Sequence, residues 1–498
     1  MLVSLRREFK IAWGSTIVNK RFLVAVAGLV LAATAVVNAQ TIVNLKNQAP
    51  DGVVVPMLLT DGRVLVQGGG QSDWWTLTPD ITGSYVNGTW QQVASLPPGY
   101  SPLYMAEAVM IDGRVVIVGG EYNFGSFAFT NLGAGYDPVA NTWTMITPPS
   151  GWGFIGDSPA SVLNNGQFLV GQKMTMNDAE LDPHTWTWTE LASTGKADFN
   201  AEEGWTLLPN GTVLTADVKN SPNSEHYDAA IQTWIQDGST VANLMGPCEV
   251  DCTTGIRGAW GTYFPPGEIG PAILRPDGTV FATGARHLGA NTGHTAIYTP
   301  GAPDSPGTWV AGPDFPNGDD AGDNFAALLT SGNVLVEGSS GSLYEFNGTT
   351  MTRTATGFGS LLVLPTGEVL IGGSQVYRSA GTYQQFWAPM LFPLSVAAIG
   401  RGQTYMAYGS NFNGMSQANA YGDENNTSTN YPLVRLTNMA TGHVFYARTH
   451  DHSSMGVRKL GSIAWTHFDV PPGAETGTTA MVVVTNGIPS NPITIMVY

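Results

Sequence analysis

Residues Met57–Gly69 read MLLTDGRVLVQGG, and residues Ala108–Gly120 read AVMIDGRVVIVGG. Each stretch contains an apolar run, an Asp-Gly turn, a second apolar run and a closing Gly-Gly pair. Asp-Gly between β-rich runs is a hairpin signal, because the tight turn needs a positive φ that glycine readily adopts. The phrase therefore predicts a β-hairpin that is repeated along the chain.

The same turn returns at regular intervals. Its glycine stands at Gly62, Gly113, Gly166, Gly211, Gly278, Gly332 and Gly367. The spacing is about 50 residues, which is the period of kelch-type propeller blades. A second phrase places a tryptophan six residues after an aspartate, as in Asp137 and Trp143. We expect this tryptophan to pack between neighbouring blades, although a row of sugar-stacking tryptophans is an alternative.

These repeats predict an all-β protein with a seven-bladed kelch-type β-propeller over residues 40–388. Residues 41–43 could supply the missing outer strand of the last blade and close the ring, which removes exposed sheet edges. Residues 389–498 contain short alternating strands separated by turns. The length of this segment and its pattern of short strands and turns predict an immunoglobulin-like β-sandwich.

The composition excludes several classes of protein. The chain of 498 residues carries 21 Lys and Arg against 38 Asp and Glu, a formal net charge of −17. Only 12% of the residues are charged and 43% are hydrophobic, which argues against a coiled coil, a helical bundle and a disordered chain. The acidity disfavours nucleic acid as a partner. It permits cations, neutral glycans and basic proteins.

The N-terminal segment has the pattern of a signal peptide. Basic residues precede an apolar run from Phe22 to Val37, and small residues follow up to Ala39. We expect cleavage after residue 39, export to a secreted or other extracytoplasmic location (periplasm or cell surface), and no membrane span afterwards. An uncleaved anchor is the alternative. The oligomeric state is not indicated by the sequence.

The chain has two cysteines, Cys248 and Cys252, and both lie in an insertion between residues 237 and 268. In an exported protein, this spacing predicts a local disulfide. A metal or redox pair is the alternative. Long insertions of this kind usually cover a functional face.

Seven kelch-like repeats followed by a β-sandwich resemble the family of galactose oxidase and the related glyoxal-oxidase-type copper radical enzymes. The stretches Tyr446–Leu460 (YARTHDHSSMGVRKL) and Ala480–Ser490 (AMVVVTNGIPS) look like that family's C-terminal domain. The resemblance implies a hairpin of this domain that enters the propeller channel and carries a copper-binding histidine, for which His450 is the match. It also implies that Tyr104 matches a tyrosine that the family cross-links to a cysteine.

The other parts of the family's copper radical site have no match. Gly357 and Phe358 stand where the resemblance requires a Tyr-His pair, and residues 53–55, all valine, stand where it requires the cysteine. Two of four copper ligands and the cross-link are therefore absent. A copper radical cofactor is not expected, and the resemblance implies the fold rather than the reaction.

The resemblance implies that residues before each inner strand lie near the mouth of the channel. Because the repeats share one register, residues at or near eight positions before each turn are then expected to meet there. The predicted mouth residues are Tyr104, Glu107, Asp157, Glu202, Glu203, Glu268 and Asp323, with His450 and His452 approaching from the tail. Carboxylates and imidazoles suit a divalent cation, held for example by His450, Tyr104 and Glu202, or a pair of acid–base groups for a sugar. A solvated acidic rim is the alternative.

Two functions remain compatible with the sequence. The first is an exported, non-catalytic protein that binds a glycan or a protein partner at the propeller mouth. The second is an oxidoreductase or metal-dependent enzyme, related to the copper radical oxidases, with an altered active site.

Overall fold

The computed structural model describes residues 40–246, 256–258, 261–263, 267–287, 289–422, 424–425, 427–459 and 461–498. The predicted signal peptide (residues 1–39) and the two cysteines, Cys248 and Cys252, lie outside the described residues. Residues Asn38–Tyr498 form one compact unit. The described part is all-β, with two single 3-10 turns at Pro316–Gly318 and Gln385–Trp387. None of its helices has the length and apolar character that crossing a bilayer requires.

The strands of the repeats are short. They are β1 (Thr41–Asn44), β2 (Pro56–Leu58), β3 (Val64–Gln67), β4 (Trp74–Thr78), β5 (Thr89–Gln92), β6 (Pro102–Leu103), β7 (Ala106–Val109), β8 (Val115–Val118), β9 (Tyr122–Asn123), β10 (Ser126–Phe127), β11 (Gly133–Asp137), β12 (Thr142–Met145), β13 (Ala160–Val162), β14 (Phe168–Gly171), β15 (Asp178–Leu181), β16 (Trp188–Glu190), β17 (Thr206–Leu207), β18 (Thr212–Ala216), β19 (Asn223–Asp228), β20 (Thr233–Ser239), β21 (Ile256–Gly258), β22 (Gly261–Tyr263), β23 (Ala272–Leu274), β24 (Val280–Thr283), β25 (Thr295–Thr299), β26 (Thr308–Ala311), β27 (Ala326–Leu328), β28 (Val334–Glu337), β29 (Ser342–Phe346), β30 (Met351–Thr356), β31 (Leu361–Val363), β32 (Val369–Ile371) and β33 (Gln375–Arg378).

Within the described residues, seven antiparallel sheets each contain one predicted hairpin. They comprise β2–β5; β7, β8, β11 and β12; β13–β16; β17–β20; β23–β26; β27–β30; and β31–β33 completed by β1. The pairing of β1 with β33 is the closure that the sequence predicts. Strands β6, β9 and β10 form a smaller sheet, and β21 pairs with β22.

The turn glycines explain why each hairpin forms. All seven have positive φ, from 79° at Gly62 to 92° at Gly211. The turn joins the first and second strand of each sheet, and both strands are buried because their apolar side chains pack against the neighbouring sheets on either face. The predicted hairpins are therefore confirmed.

The first strands of the seven sheets form a closed ring. Each lies against the first strand of the next sheet, and β31 of the last sheet lies against β2 of the first. All seven first strands run in the same direction, from a loop at one end of the ring to a glycine turn at the other. The two ends of the ring are therefore different. We call the end at which the first strands begin the mouth, and the other end the turn end.

The repeated tryptophans fasten one sheet to the next. The Trp143 indole lies 4.9 Å from that of Trp74 in the preceding sheet, and its Nε1 donates to Ala94 O at 2.9 Å. Trp188 Nε1 likewise donates to Thr147 O. These contacts agree with the packing role predicted for the tryptophan that follows each repeated aspartate by six residues.

The tail contains β34 (Met390–Leu391), β35 (Ala398–Ile399), β36 (Thr404–Ser410), β37 (Asn419–Ala420), β38 (Leu433–Asn438), β39 (Val444–His450), β40 (Ile463–Asp469), β41 (Gly477–Thr485), β42 (Ile488–Pro489) and β43 (Ile493–Val497). Apart from β37, these strands form a nine-stranded sheet around a separate apolar core. The chain thus has an all-β fold of the β-propeller type, followed by further β-structure.

Candidate functional site

A cavity of about 330 Å³ opens at the mouth of the ring. Its walls come from residues that directly precede first strands, namely Val53–Val55 before β2, Tyr104 before β7, Asp323 before β27 and Phe358 before β31. The shared register of the repeats explains this convergence, since equivalent loops meet at the same end of the ring. The cavity size is that of a small-molecule site, for which ~300–1,000 Å³ is usual.

A segment of the tail passes through the ring and reaches this cavity. This channel segment comprises residues 413–422, 424–425 and 427–430 of the described chain. Its strand β37 pairs with the free inner edge of β27. Asn419 Oδ1 accepts from Val363 N at 2.9 Å, and Gln417 Oε1 accepts from Leu207 N at 3.1 Å. The amide side chains thus hydrogen-bond strand edges that the repeats leave unpaired.

The tip of the channel segment contributes Tyr421 and Asn425 to the cavity. The Tyr421 ring lies 4.7 Å from that of Phe325. Glycine lets the segment pass close to the ring, because a Cβ on Gly422 would lie 2.6 Å from Ile269 O. Sequence reasoning missed these residues. The available signal was the long, amide-rich stretch between β36 and β38, which is unusual for a compact sandwich.

Three of the predicted carboxylates lie near one buried lysine. Lys173 Nζ lies 2.6 Å from Asp157 Oδ2 and 2.7 Å from Glu202 Oε2. Burial raises the pKa of Asp157 well above its usual range, Lys173 opposes that shift, and Glu202 adds to it. The charge of Glu202 also raises the pKa of Glu268, and the charge of Lys173 opposes that increase. The predicted register therefore does bring these side chains together.

Glu268 and Asp323 form a carboxyl–carboxylate pair. Burial raises the pKa of both side chains, and the charge of Glu202 adds to the increase at Glu268. The hydrogen bond between them raises the pKa of Glu268 and lowers that of Asp323, so Glu268 is the more readily protonated of the two and the natural donor to Asp323. Tyr421 also hydrogen-bonds Asp323. Asp323 is therefore an acceptor fixed at the wall of the cavity.

Tyr104 lies at the rim of the same cavity with 39% of its surface exposed. Burial raises the pKa of its phenol, and the nearby Glu424 and Asp323 charges add to the shift. Glu107 lies deeper, fully buried on β7, where its charge adds to the burial that raises the pKa of Tyr100. Tyr104 thus faces the cavity, whereas Glu107 is part of the ring interior.

Glu203 does not point to the mouth, although it adjoins Glu202. Its Oε1 lies 3.0 Å from Lys196 Nζ and accepts from Trp205 Nε1 at 3.0 Å. Lys196 Nζ also lies 2.8 Å from Glu225 Oε1, and all three charged side chains are fully buried. The chain bends at residues 201 and 202, and Glu203 N donates to Ala201 O at 2.8 Å, so the two adjacent side chains diverge. Glu203 is therefore part of a structural ion network between sheets.

His450 and His452 lie at the turn end, not at the mouth. His450 ends β39, and the neighbouring Arg448 donates to Asp112 O at 2.7 Å, in the glycine turn between β7 and β8. The His452 backbone N–H donates to Ile111 O, and its ring is buried and stacked on Tyr431. Burial lowers the pKa of His452 to about 3. The channel segment occupies the position that the sequence assigned to these histidines.

The residues around the cavity do not fit a copper radical cofactor. Val53–Val55 and Phe358 line it together with Tyr104, which supports the register used to compare them with the family. Among the described lining residues there is no imidazole and no thiol. Phenols, carboxyls and amides remain as donors, and these do not reproduce a site of two histidines, two tyrosines and a cross-linking cysteine.

Comparison with known proteins agrees with this architecture. The chain is 24% identical over 264 residues to galactose oxidase from Gibberella zeae, a match that covers 48% of this chain and 35% of the relative. The chain thus spans about a third of the length of that relative. No family model matches the sequence.

One similar solved structure is a fungal alcohol oxidase of the AA5 family in complex with copper. It is 14% identical, has a TM-score of 0.48, and the alignment covers 92% of this chain and 98% of that one. Another is the extracellular domain of the BT4673 one component system from B. thetaiotaomicron, at 12% identity and a TM-score of 0.45, covering 92% and 58%. The sequence match and the strand order together indicate a galactose-oxidase-like, all-β fold.

Proposed function

We propose that the chain is an exported, seven-bladed kelch propeller with an immunoglobulin-like tail that binds a neutral glycan in the mouth cavity without catalysing its oxidation. The observation that carries the proposal is the cavity itself. It combines the aromatic rings of Tyr104, Tyr421 and Phe358 with the carboxyl groups of Asp323 and Glu337. Apolar ring faces with a few fixed polar groups are the usual composition of a small-molecule site.

Glu337 offers a hydrogen-bonding position toward such a ligand. The residue is 1% exposed and lines the cavity, and its Oε1 accepts from Gly359 N at 3.1 Å. Its Oε2 is buried with no hydrogen-bond partner in the described chain. A buried polar atom without a partner is costly. A ligand hydroxyl donating to Oε2 would remove that cost.

A row of aromatic rings extends from the cavity rim along the small sheet of β6, β9 and β10. The ring centroids of Tyr104 and Tyr122 lie 6.1 Å apart, those of Tyr122 and Phe127 lie 6.0 Å apart, and Phe127 is 4.9 Å from Phe129. Phe127 in this row and the neighbouring Phe124 are exposed to solvent. An exposed aromatic patch next to a cavity is typical of a binding surface. It suits a glycan longer than one sugar.

Two features support the architecture and location in this proposal, namely the closed ring of sheets and the sequence pattern of residues 1–39. Seven sheets whose first strands close on each other support seven blades, and the tail strands 389–498 support a sandwich of the immunoglobulin type. Residues 1–39 support export. An oxidising compartment would then favour a disulfide between Cys248 and Cys252.

Glycan-array binding followed by calorimetry tests the proposal. We expect a neutral oligosaccharide to bind the wild-type chain. Phe358→Ser should weaken that binding, because Phe358 is 79% exposed at the cavity and its loss does not disturb the core. Phe386→Ser is the matched control, since Phe386 is 63% exposed on the 3-10 turn at residues 385–387. Absence of any glycan binding, or equal loss in both variants, contradicts the proposal.

The second candidate is an oxidoreductase or metal-dependent enzyme, related to the copper radical oxidases, with an altered active site. The hydrogen-bonded pair Glu268 and Asp323, close to Glu202 and Lys173, favours it, because carboxyls held in different protonation states can exchange protons with a substrate. Peroxide release from alcohols, aldehydes and sugars, with and without copper, separates the candidates. Turnover that Asp323→Asn abolishes would replace the binding function with this one.

A further inference from the structure

A second cluster of ligand-type side chains lies on the tail, away from the mouth. His450 ends β39, His467 stands directly opposite it on β40, and Asp451 follows His450. One ligand atom from each of the three lies within 4.8 Å of the others. We propose that His450, Asp451 and His467 bind a zinc ion, at a site separate from the mouth and from Tyr104 and Glu202.

The side chains of His450 and Asp451 bring two ligand-type atoms side by side. Its Nδ1 lies 2.7 Å from Asp451 Oδ2, and its Nε2 lies 3.3 Å from Asp469 Oδ1. If Nε2–H donates to Asp469, the Nδ1 lone pair points at a carboxylate oxygen. Two acceptors at that distance need a proton or a cation between them. Carboxylate–histidine–metal arrangements use this same outer hydrogen bond to orient the ligating imidazole.

His467 supplies the second imidazole. The two rings are stacked, with centroids 5.7 Å apart and planes inclined by 25°. Its Nδ1 is buried and has no hydrogen-bond partner within the described residues. In a tetrahedral zinc site with bonds of ~2.0–2.1 Å, ligand atoms lie about 3.4 Å apart. The present spacings run from 2.7 Å between His450 Nδ1 and Asp451 Oδ2 to at most 4.8 Å within the cluster. Zinc binding therefore requires side-chain rotations that lengthen the short distance and shorten the long ones.

The ligand chemistry selects the metal. Two imidazoles and one carboxylate suit a borderline divalent ion such as Zn²⁺, whereas Ca²⁺ prefers a set of oxygen ligands. Asp451 is 48% exposed, so the fourth position is open to water. The site can therefore load from solution without unfolding.

The position of the cluster suggests what the metal stabilises. On one side of His450, Thr449 N donates to Thr60 O at 3.1 Å, in the glycine turn of the first sheet. On the other side, His452 N donates to Ile111 O at 3.2 Å, in the turn of the second sheet. A metal that joins β39 to β40 would hold the tail against the turn end of the ring.

Isothermal titration of the EDTA-treated, dialysed full chain with ZnCl₂ tests the proposal. We expect one Zn²⁺ per chain and a higher melting temperature in its presence. Asp451→Asn should weaken Zn²⁺ binding at least tenfold (~10–100-fold is typical even for outer partners of metal ligands). Asparagine tolerates the left-handed backbone of residue 451, whose φ is 47°, so folding is preserved. His467→Gln should abolish binding.

His443→Gln is the matched control. His443 lies on the same tail and contacts a carboxylate, Glu475, at 2.6 Å, but among the described residues it belongs to no group of three ligand-type side chains. It should bind Zn²⁺ like the wild type. Circular dichroism melts without metal check that each variant folds. The proposal is overturned if the wild type binds no Zn²⁺, if Ca²⁺ binds equally well, or if His443→Gln reduces binding as much as His467→Gln.

Discussion

Lys173 Nζ lies 2.7 Å from Glu202 Oε2, and this contact joins the third sheet to the loop that begins the fourth. The ammonium also contacts Asp157 at 2.6 Å, and only 2% of the lysine side chain is exposed. A buried cation between carboxylates from different sheets fixes the spacing of the mouth loops. Its removal takes away the buried counter-charge that Asp157 and Glu202 share.

Lys173→Met should therefore destabilise the protein by ~3–5 kcal/mol near neutral pH, as expected when one partner of a buried ion pair is removed. The loss should be smaller near pH 5, because Asp157, whose pKa is already raised by burial, can take up a proton. Denaturant unfolding of both proteins at the two pH values measures this difference.

Lys219→Met is the control for that experiment. Lys219 is exposed, and its Nζ lies 4.0 Å from the Phe199 ring centroid, an interaction of only ~0.5–1 kcal/mol. A Lys173→Met variant as stable as Lys219→Met at neutral pH would show that the lysine does not hold the carboxylates together.

Glu268→Gln should make stability less dependent on pH. The pKa of Glu268 is higher in the folded chain than its ordinary value of 4.5, so the folded state binds the extra proton. The stability that this proton contributes is fully present below that value and is lost as pH rises toward the folded pKa. Glutamine keeps a donor for Asp323 but has no proton to lose.

The unfolding midpoint of the wild type should consequently fall more than that of Glu268→Gln between about pH 6 and about pH 9. Glu190→Gln, at an exposed position on β16, controls for the general loss of one charge. Parallel pH profiles for the wild type and Glu268→Gln would mean that Glu268 is ionised in the folded protein.

The sequence predicted much of the mouth because the repeats share one register. Counting eight residues back from each turn placed Tyr104, Asp157 and Glu202 at one end of the ring, and the structure brings them there. The same counting could not orient Glu203, because the chain turns tightly at residues 201–203 and the register of the repeats does not describe that turn. Only the position of Lys196 in three dimensions shows which face that carboxylate occupies.

The tail was harder to predict because it has no repeat against which to set its register. The resemblance placed His450 in the channel, whereas the structure places Asn419 and Tyr421 there. The amide-rich channel segment lacks the alternating apolar pattern that marks a strand. Its backbone pairs with β27 only because the ring presents an unpaired inner edge, which is a tertiary property.

Asn419→Ala should destabilise the channel segment. Asn419 is 1% exposed, its Oδ1 accepts from Val363 N at 2.9 Å, and its Nδ2 donates to Thr427 O at 2.9 Å. Alanine leaves both backbone groups buried without these partners, at a cost of ~1–3 kcal/mol for each. We expect a loss of about 2–6 kcal/mol in the free energy of unfolding, measured by denaturant titration.

Asn347→Ala is the comparison for Asn419→Ala, since Asn347 caps a turn on the outer edge of the sixth sheet, where water can replace its hydrogen bonds. It should cost less than Asn419→Ala. Similar losses for the two variants would argue that the channel segment contributes little to stability, and limited proteolysis would then be expected to cleave it readily.

Glu337 should make glycan binding depend on pH. Burial raises the pKa of its carboxyl to about 7, partly opposed by the hydrogen bond from Gly359 N. Above that pH the ionised group can accept hydrogen bonds from ligand hydroxyls, and charged acceptors bind roughly twice as strongly as neutral ones. Affinity for a neutral oligosaccharide should therefore increase between about pH 6 and about pH 8, measured by calorimetry in buffers of matched ionic strength.

Glu337→Gln should bind the same oligosaccharide with an affinity that does not change over this range, because its amide does not titrate. A pH dependence that persists in Glu337→Gln would assign the titrating group to Asp323 or Glu268 instead. It would also place the ligand nearer to Glu268 and Asp323 than to Glu337 on β28.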